Sequence, residues 1–248
     1  PSITDIPRSA PQIMPQHDPL LGLRFLAFAM VFLGHWFMVV FTEKDFVPML
    51  KSTDAYWLVT SSPWGGVWLF FTLSGYLMGK GFISGRYSLD WKGITRYYRN
   101  RALRIFPIYF TAILIVGGLV MPENFKVWLP EMQFNLFELF SMDAKGAGPI
   151  GALWSISTEF QFYILVPFIC ALTAGLFKTK TRILFAAIGI ILISFAYKYN
   201  MNYQHGLDRW YFKVYVTLLP NMDVFLLGIL TAYAVEYCHT KKIILKYG

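Results

Sequence analysis

The stretch at 20–41, LLGLRFLAFAMVFLGHWFMVVF, decides the fold class of this 248-residue chain. Its only ionisable side chains are Arg24 and His35, and every other position is apolar or small. A helix needs about 20 consecutive apolar residues to cross the hydrocarbon core of a bilayer. The stretch therefore predicts a transmembrane helix.

The composition extends this prediction to the whole chain. Hydrophobic residues make up 56% of it, charged residues only 15%, and the mean hydropathy is +0.48. Soluble domains average about 25% charged residues, so this chain has too few for a polar shell, and it is too apolar for disorder. Further apolar stretches lie at 62–83, 105–121, 151–177, 183–199 and 214–237. We expect an all-α, polytopic membrane protein with about six transmembrane helices, a polar cytoplasmic tail at 1–19 and one membrane domain at 20–248.

The charges between these stretches alternate in sign. The net charge of +8 comes from 22 Lys and Arg against 14 Asp and Glu. Cytoplasmic loops of membrane proteins are rich in Lys and Arg. The basic loops follow the second, fourth and sixth stretches, and the acidic ones lie between. This pattern predicts a multi-pass protein of the cell (inner) membrane with a cytoplasmic N-terminus. It also explains the net positive charge, so no nucleic-acid partner is needed to account for that charge.

Four ionisable residues lie inside the apolar stretches: Arg24, His35, Glu159 and Asp223. Such residues are costly in a membrane, so each is a functional candidate. Arg24 and His35 are eleven residues apart, which places them on one helix face about 16 Å apart along the axis. Counted from the predicted outer ends, His35 lies about 9 Å deep and Glu159 about 13 Å deep, which allows the two to meet. A carboxylate on one imidazole nitrogen would make the other a general base.

Each candidate also has a simpler interpretation. His35 suits an interfacial packing position, and Arg24 suits an anchor that extends to the membrane surface. The cations at 99–104 suit a topology signal, and Asp223 with Asn221 suits a helix cap after a proline. Ser74-Gly75 is typical of a small-residue contact between helices. No spacing of His or Cys indicates a metal site, and the two cysteines indicate no disulfide framework.

Four stretches together resemble acyltransferase family 3, the integral-membrane acyltransferases that modify envelope and exported glycans. They are LLGLRFLAFAMVFLGHW at 20–36, GGVWLFFTLSGYLMG at 65–79, YYRNRALRIFPIYF at 97–110 and LWSISTEFQFYILVPF at 153–168. A softer fifth match is NMDVFLLGILTAY at 221–233. The resemblance lies in their joint occurrence, in order and at the family's spacing.

The resemblance implies roles for particular residues. His35 matches the favoured catalytic residue and Arg24 its partner on the first helix, while Glu159 matches an essential acid. Arg101 and Arg104 match an Arg-x-x-Arg motif associated with the acyl donor, usually acetyl-CoA, and with Arg24 they are the predicted donor-binding residues, since all three offer forked, charged donors for its phosphates. The implied reaction is O-acylation, in which an acyl group, acetyl by default, moves from cytoplasmic acyl-CoA to a hydroxyl of an extracytoplasmic glycan or glycoside, with no metal.

Several alternatives stay open at this stage. Family members usually have about ten membrane helices, so we expect this chain to be C-terminally incomplete, with the missing helices or an oligomer covering its open faces. The resemblance leaves open the acceptor, the acyl chain and the choice between direct transfer and an acyl-histidine intermediate. The competing function is a multi-pass transporter in which His35 and Glu159 form a proton or substrate relay.

Overall fold

A computed structural model describes residues 19–40, 63–120, 122, 153–205 and 214–240. These residues form six α-helices and no strand, which confirms the all-α prediction. A π-helical segment, Leu114–Val120, continues the third helix. The helices are α1 (Pro19–Val40), α2 (Pro63–Ile83), α3 (Trp91–Ile113), α4 (Trp154–Thr173), α5 (Lys180–His205) and α6 (Leu218–Thr240). The predicted tail, outer loops and C-terminal cations lie outside the described residues.

Five of these helices are long and apolar enough to cross a membrane. The exception is α2, which is rich in Gly and aromatic residues and packs against α1, α4 and α6. In contrast, α5 has no buried side chain among its described residues, and its apolar surface faces outward. The described chain is therefore a polytopic helical membrane protein with α2 at its centre and α5 at its edge.

Glycines allow α2 and α6 to pack at short range. A Cβ atom at Gly75 would lie 2.1 Å from the Phe225 carbonyl oxygen, and one at Gly228 would lie 2.2 Å from the Thr72 carbonyl oxygen. Close backbone approach at small residues is the usual means by which membrane helices associate. The prediction of a small-residue contact at Gly75 is confirmed.

Three phenylalanines join the central helices. The Phe225 ring of α6 lies 4.5 Å from the Phe71 ring of α2 and 4.0 Å from the Phe162 ring of α4, centroid to centroid. All three side chains are fully buried. At the start of α4, the Trp154 ring contacts Phe71 edge-on at 6.1 Å. This aromatic cluster fixes where α4 begins relative to α2.

The turn before α6 is held by Asn221, which is buried. Its amide nitrogen donates to the carbonyl oxygens of Tyr215 (2.6 Å) and Thr217 (2.7 Å), and its amide oxygen accepts from Trp68 Nε1 (3.0 Å). Backbone carbonyls left free near a helix start would be costly inside a membrane. The sequence predicts that Asn221, with Asp223, caps a helix after Pro220, but α6 already begins at Leu218, so Asn221 lies within the helix and its side chain binds the residues just before it.

The start of α3 differs most from the predicted boundaries. We placed the third span at 105–121, but the helix already begins at Trp91. Asp90 caps it by accepting from the Gly93 amide at 2.8 Å, and Gly85 reverses the chain after α2 with φ +74°. The hydropathy boundary missed this part because it is basic. As a result, the Arg-x-x-Arg motif lies on a helix.

Candidate functional site

The centre of the site is the Glu159 carboxylate, which lies where α4 packs against α2. Its Oε1 atom accepts hydrogen bonds from the Ser74 hydroxyl of α2 and from the Tyr163 hydroxyl of α4, the latter at 2.5 Å. Glu159 and Tyr163 are four residues apart and so lie on one helix face. Ser74 and Tyr163 are both buried. Two hydroxyl donors on a half-buried carboxylate give a fixed acidic group inside the membrane domain.

Arg101 lies on the other side of Tyr163. Its guanidinium carbon is 5.6 Å from the centroid of the Tyr163 ring, a cation–π contact. The Nε and Nη1 atoms of Arg101 are buried and have no hydrogen-bond partner among the residues that the structure describes. Buried donors without partners are rare and costly, so they indicate a ligand that supplies acceptors. Arg101, Tyr163, Glu159 and Ser74 thus form one connected polar centre.

The cytoplasm-facing side of this centre, in the predicted topology, is formed by Tyr87 in the turn before α3. Partial burial raises the pKa of its phenol, but hydrogen bonds from Asn100 and Arg101 and the charge of Arg101 outweigh it, so the pKa lies below its ordinary value. The Arg101 guanidinium therefore lies between two tyrosines, Tyr87 and Tyr163. This position holds the guanidinium in place but leaves two of its donors available.

His35 lies apart from this centre, near the C-terminal end of α1. Its Nδ1 atom is 2.8 Å from the Val31 carbonyl oxygen, and the side chain is exposed. Because a carbonyl oxygen only accepts, Nδ1 carries the proton and the neutral ring keeps its lone pair on Nε2. The backbone of α1 thus fixes the orientation of the imidazole.

The register of α1 against α2 sets the distance between His35 and Glu159. A Cβ atom at Gly34 would lie 2.8 Å from Pro63, and one at Gly66 would lie 2.7 Å from the Ala27 carbonyl oxygen, so the two helices run antiparallel. Ser74, which binds Glu159, follows Pro63 by eleven residues, or about 16 Å along α2. Glu159 is therefore level with the Arg24 end of α1.

The structure thus corrects the prediction that His35 and Glu159 meet. No hydrogen bond joins them in the part of the chain that the structure describes, and the Val31 carbonyl takes the orienting role that we assigned to Glu159. The predicted depth of Glu159 is wrong because it assumes a helix that starts at residue 151 at the membrane surface. In the structure α4 begins at Trp154 beside Phe71, eight residues into α2, and so already starts deep in the bundle.

The other two predicted site residues, Arg24 and Arg104, have no hydrogen bond to the polar centre among the described residues. Arg24 is half-buried on α1, and Arg104 is exposed on α3. Neither makes a hydrogen bond or ion pair among the described residues. Of the predicted donor-binding residues, only Arg101 lies at the polar centre, while Arg24 lies at about the same depth on α1.

Asp223, the fourth candidate from the sequence, belongs to a different contact. Its Oδ2 atom accepts from Lys198 Nζ and from Ser194 Oγ, both at 2.7 Å and both on α5. Membrane-embedded acids are usually paired in this way. Asp223 ties the peripheral helix α5 to α6 and joins neither His35 nor Glu159.

Sequence reasoning missed the roles of Ser74 and Tyr163. The role of Tyr163 could have been predicted from the sequence, because a tyrosine four residues after an intramembrane acid lies on the same helix face as that acid. Ser74 lies 85 positions before Glu159, and only the pairing of α2 with α4 brings the two together. The sequence indicated a helix contact at its neighbour Gly75 but no role for Ser74 itself.

Comparison with known families and proteins defines the class. The model of the acyltransferase domain of acyltransferase family 3 matches residues 20–247, so the chain belongs to this family of membrane acyltransferases. "Putative O-acetyltransferase SACOL0978" of Staphylococcus aureus (strain COL) is 27% identical over 192 residues, covering 68% of this chain and 30% of that protein. O-acetyltransferase OatA of S. aureus (strain NCTC 8325 / PS 47) is 24% identical over 199 residues, covering 73% of this chain and 31% of that protein.

The chain therefore spans about a third of the length of the curated relatives that it matches. No solved structure is similar to it. Family membership confirms the resemblance seen in the sequence motifs and, with the apolar helices, places the chain among membrane acyltransferases.

Proposed function

We propose that this protein transfers an acyl group, acetyl by default, from acyl-CoA on the cytoplasmic side to a hydroxyl of an extracytoplasmic glycan or glycoside. The observation that carries the proposal is Arg101: its guanidinium lies over the ring of Tyr163, which binds Glu159, and two of its buried donors have no partner in the described part of the chain. The names of the S. aureus relatives support an acetyl group and an oxygen acceptor. The basic first turns of α3 support a cytoplasmic position for the donor and hence a cytoplasmic N-terminus in the inner membrane.

The donor would bind through its phosphates and its pantetheine arm. Arg101 offers the forked, permanently charged donors that suit phosphate or carbonyl oxygens, and Arg24 and Arg104 are further cations for the same molecule. Glu159 would line the path of the arm between Arg101 and His35. In this arrangement Ser74 and Tyr163 are positioning residues, because they act by fixing the Glu159 carboxylate.

The chemistry would take place at His35. Its Nε2 atom would accept the proton of the acceptor hydroxyl while that oxygen attacks the thioester carbonyl carbon. The carbon–sulfur bond then breaks, and the coenzyme A thiolate leaves and takes the proton from the imidazolium. A route through an acyl-histidine would begin with attack by Nε2 itself, and both routes need Nδ1 protonated against the Val31 carbonyl.

The proposal is tested by radiolabel transfer in membranes that contain the full-length gene product. Labelled acetyl-CoA supplied to the cytoplasmic face should deposit label on envelope glycan, and Arg101→Gln should raise the KM for acetyl-CoA. The control is Arg182→Gln, an exposed cation on α5. Equal KM values for the two variants would show that Arg101 does not bind the donor.

The same preparation separates the enzyme from a transporter. A relay through His35 and Glu159 predicts flux of a proton or solute with no acylated product. The structure favours transfer, because the two residues lie about 16 Å apart by the helix register and share no hydrogen bond in the described residues. Proton flux without labelled product would overturn the proposal.

A further inference from the structure

The exposed face of α3 carries a basic groove that the acyl-transfer proposal does not use. The groove has a volume of about 280 Å³ and is lined by Trp91, Lys92, Thr95, Arg96 and Arg99. All five side chains are exposed, Trp91 by 81%. The buried face of α3, which includes Tyr97 and Ile105, points in the opposite direction. This groove therefore faces away from the polar centre around Glu159.

The cations of the groove are not neutralised by carboxylates. Lys198–Asp223 is the single salt bridge among the residues that the structure describes, so Lys92, Arg96 and Arg99 have none there. The nearest acid is Asp90, whose pKa is lowered first by the Ser88 hydroxyl and the Gly93 amide and only weakly by Lys92. Because Asp90 is engaged as the helix cap, three cations are left to attract an external anion.

The same face of α3 becomes apolar further along the helix. At 100° per residue, Lys92, Arg96 and Arg99 align with Leu103, Phe110 and Leu114. The last three side chains are 67%, 42% and 58% exposed. Leu103 to Leu114 spans about 16 Å, close to half of the roughly 30 Å hydrocarbon core of a bilayer. A charged end followed by one leaflet's depth of apolar surface matches the shape of a phospholipid.

We propose that the exposed face of α3 binds an anionic phospholipid. Its phosphate headgroup lies on Lys92, Arg96 and Arg99, and one acyl chain lies along Leu103, Phe110 and Leu114. Trp91 lies at the headgroup level, where tryptophan is enriched in membrane proteins. The apolar continuation favours a lipid over a soluble phosphate compound, because such a compound would leave that surface unused.

The test is native mass spectrometry of the purified, delipidated full-length protein titrated with phosphatidylglycerol or with phosphatidylcholine. Phosphatidylglycerol should bind more tightly. Each cation near an anionic surface contributes about 1 kcal/mol, so the double variant Arg96→Gln/Arg99→Gln should weaken phosphatidylglycerol binding roughly 30-fold. The matched control is Lys178→Gln/Lys180→Gln, two exposed cations at the start of α5, which should bind the lipid as the wild type does.

Two further arms identify the source of the phosphate and the role of the apolar surface. Glycerol 3-phosphate and coenzyme A at millimolar concentration should not displace the lipid, and Leu103→Asn should weaken long-chain more than short-chain phosphatidylglycerol. Displacement by either soluble compound would mean that the groove is a soluble-phosphate site. Equal binding of the two lipids, or equal loss in the test and control variants, would also overturn the proposal.

Discussion

Replacing Tyr163 by phenylalanine removes one atom from the centre of the proposed site. The Tyr163 hydroxyl donates to Glu159 Oε1 at 2.5 Å, whereas its ring supports the Arg101 guanidinium at 5.6 Å. Phenylalanine keeps the ring and loses the hydrogen bond. A hydrogen bond to a charged group contributes about 1.5–3 kcal/mol, which corresponds to roughly 10- to 100-fold in rate.

We therefore expect Tyr163→Phe to lower kcat by this factor and to leave the KM for acetyl-CoA within about twofold. Tyr163→Leu removes the ring as well. The cation–π contact contributes about 0.5–2 kcal/mol, so this variant should also raise the KM for acetyl-CoA by roughly 2- to 30-fold. The split between kcat and KM is the signature of a positioning residue between the donor site and the acid.

The assay is initial-rate transfer of labelled acetyl groups at varied acetyl-CoA, corrected for the amount of folded protein in the membrane. Tyr98→Phe is the control, because the Tyr98 hydroxyl bonds a backbone carbonyl of α4 and no carboxylate: it donates to the Ile164 carbonyl oxygen at 2.8 Å. The control should keep the wild-type kcat. If Tyr163→Phe also keeps it, the hydrogen bond to Glu159 has no part in the reaction.

Three further predictions concern the fold that positions this site. Gly75→Ala places a methyl group against the Phe225 carbonyl oxygen and should lower the free energy of unfolding by about 1–3 kcal/mol, whereas Gly189→Ala, with no atom within 4 Å of the added carbon, should not. Thermal unfolding in detergent measures both, and equal melting temperatures would contradict the close helix packing. Asn221→Leu removes the hydrogen bonds to the Trp68 indole and to the Tyr215 and Thr217 carbonyls and should lower the free energy of unfolding by about 1–3 kcal/mol, so wild-type stability would be the contrary result. Because the pKa of Asp90 is lowered from 3.8, mainly by the Ser88 hydroxyl, its stabilisation is present above that value and lost as the pH falls through the folded-state pKa. The melting temperature of the wild type should therefore fall more steeply on acidification than that of Asp90→Asn, and parallel curves would contradict this.

The fold class could be predicted from the sequence because the length and apolarity of a membrane helix are local properties. The stretch at 20–41 predicted α1, which spans Pro19–Val40. Helix boundaries were predicted poorly where polar residues continue a helix. The start of α3 lies 14 residues before the predicted start, since its first turns are basic and hydropathy does not detect them.

Individual residues of the site could be predicted from the sequence, but the contacts between them could not. Glu159 and Arg101 were both identified from motifs, and the structure joins them through Tyr163. The predicted pairing of Glu159 with His35 depended on how deep α4 begins. That depth is set by the contact of Trp154 with Phe71, a packing interaction between distant segments that no local pattern reports.

The close packing of α2 against α6 and α4 shows the same limit of prediction from sequence. Gly75 could be recognised as a helix contact, but nothing local indicates that Phe225 lies opposite it. Ser74, one residue earlier, becomes a partner of Glu159 only because Gly75 lets α6 approach one side of α2 while α4 occupies another. Side-chain partners across three helices are a consequence of packing, which requires the structure.

The most direct test of the account is acetyl transfer by His35→Ala beside His239→Ala, an exposed histidine in the last turn of α6. Both full-length proteins are brought to equal amounts in the membrane and supplied with labelled acetyl-CoA. We expect His239→Ala to label envelope glycan as the wild type does and His35→Ala not to label it. Wild-type labelling by His35→Ala would contradict the assignment of His35 as the base or nucleophile of the reaction.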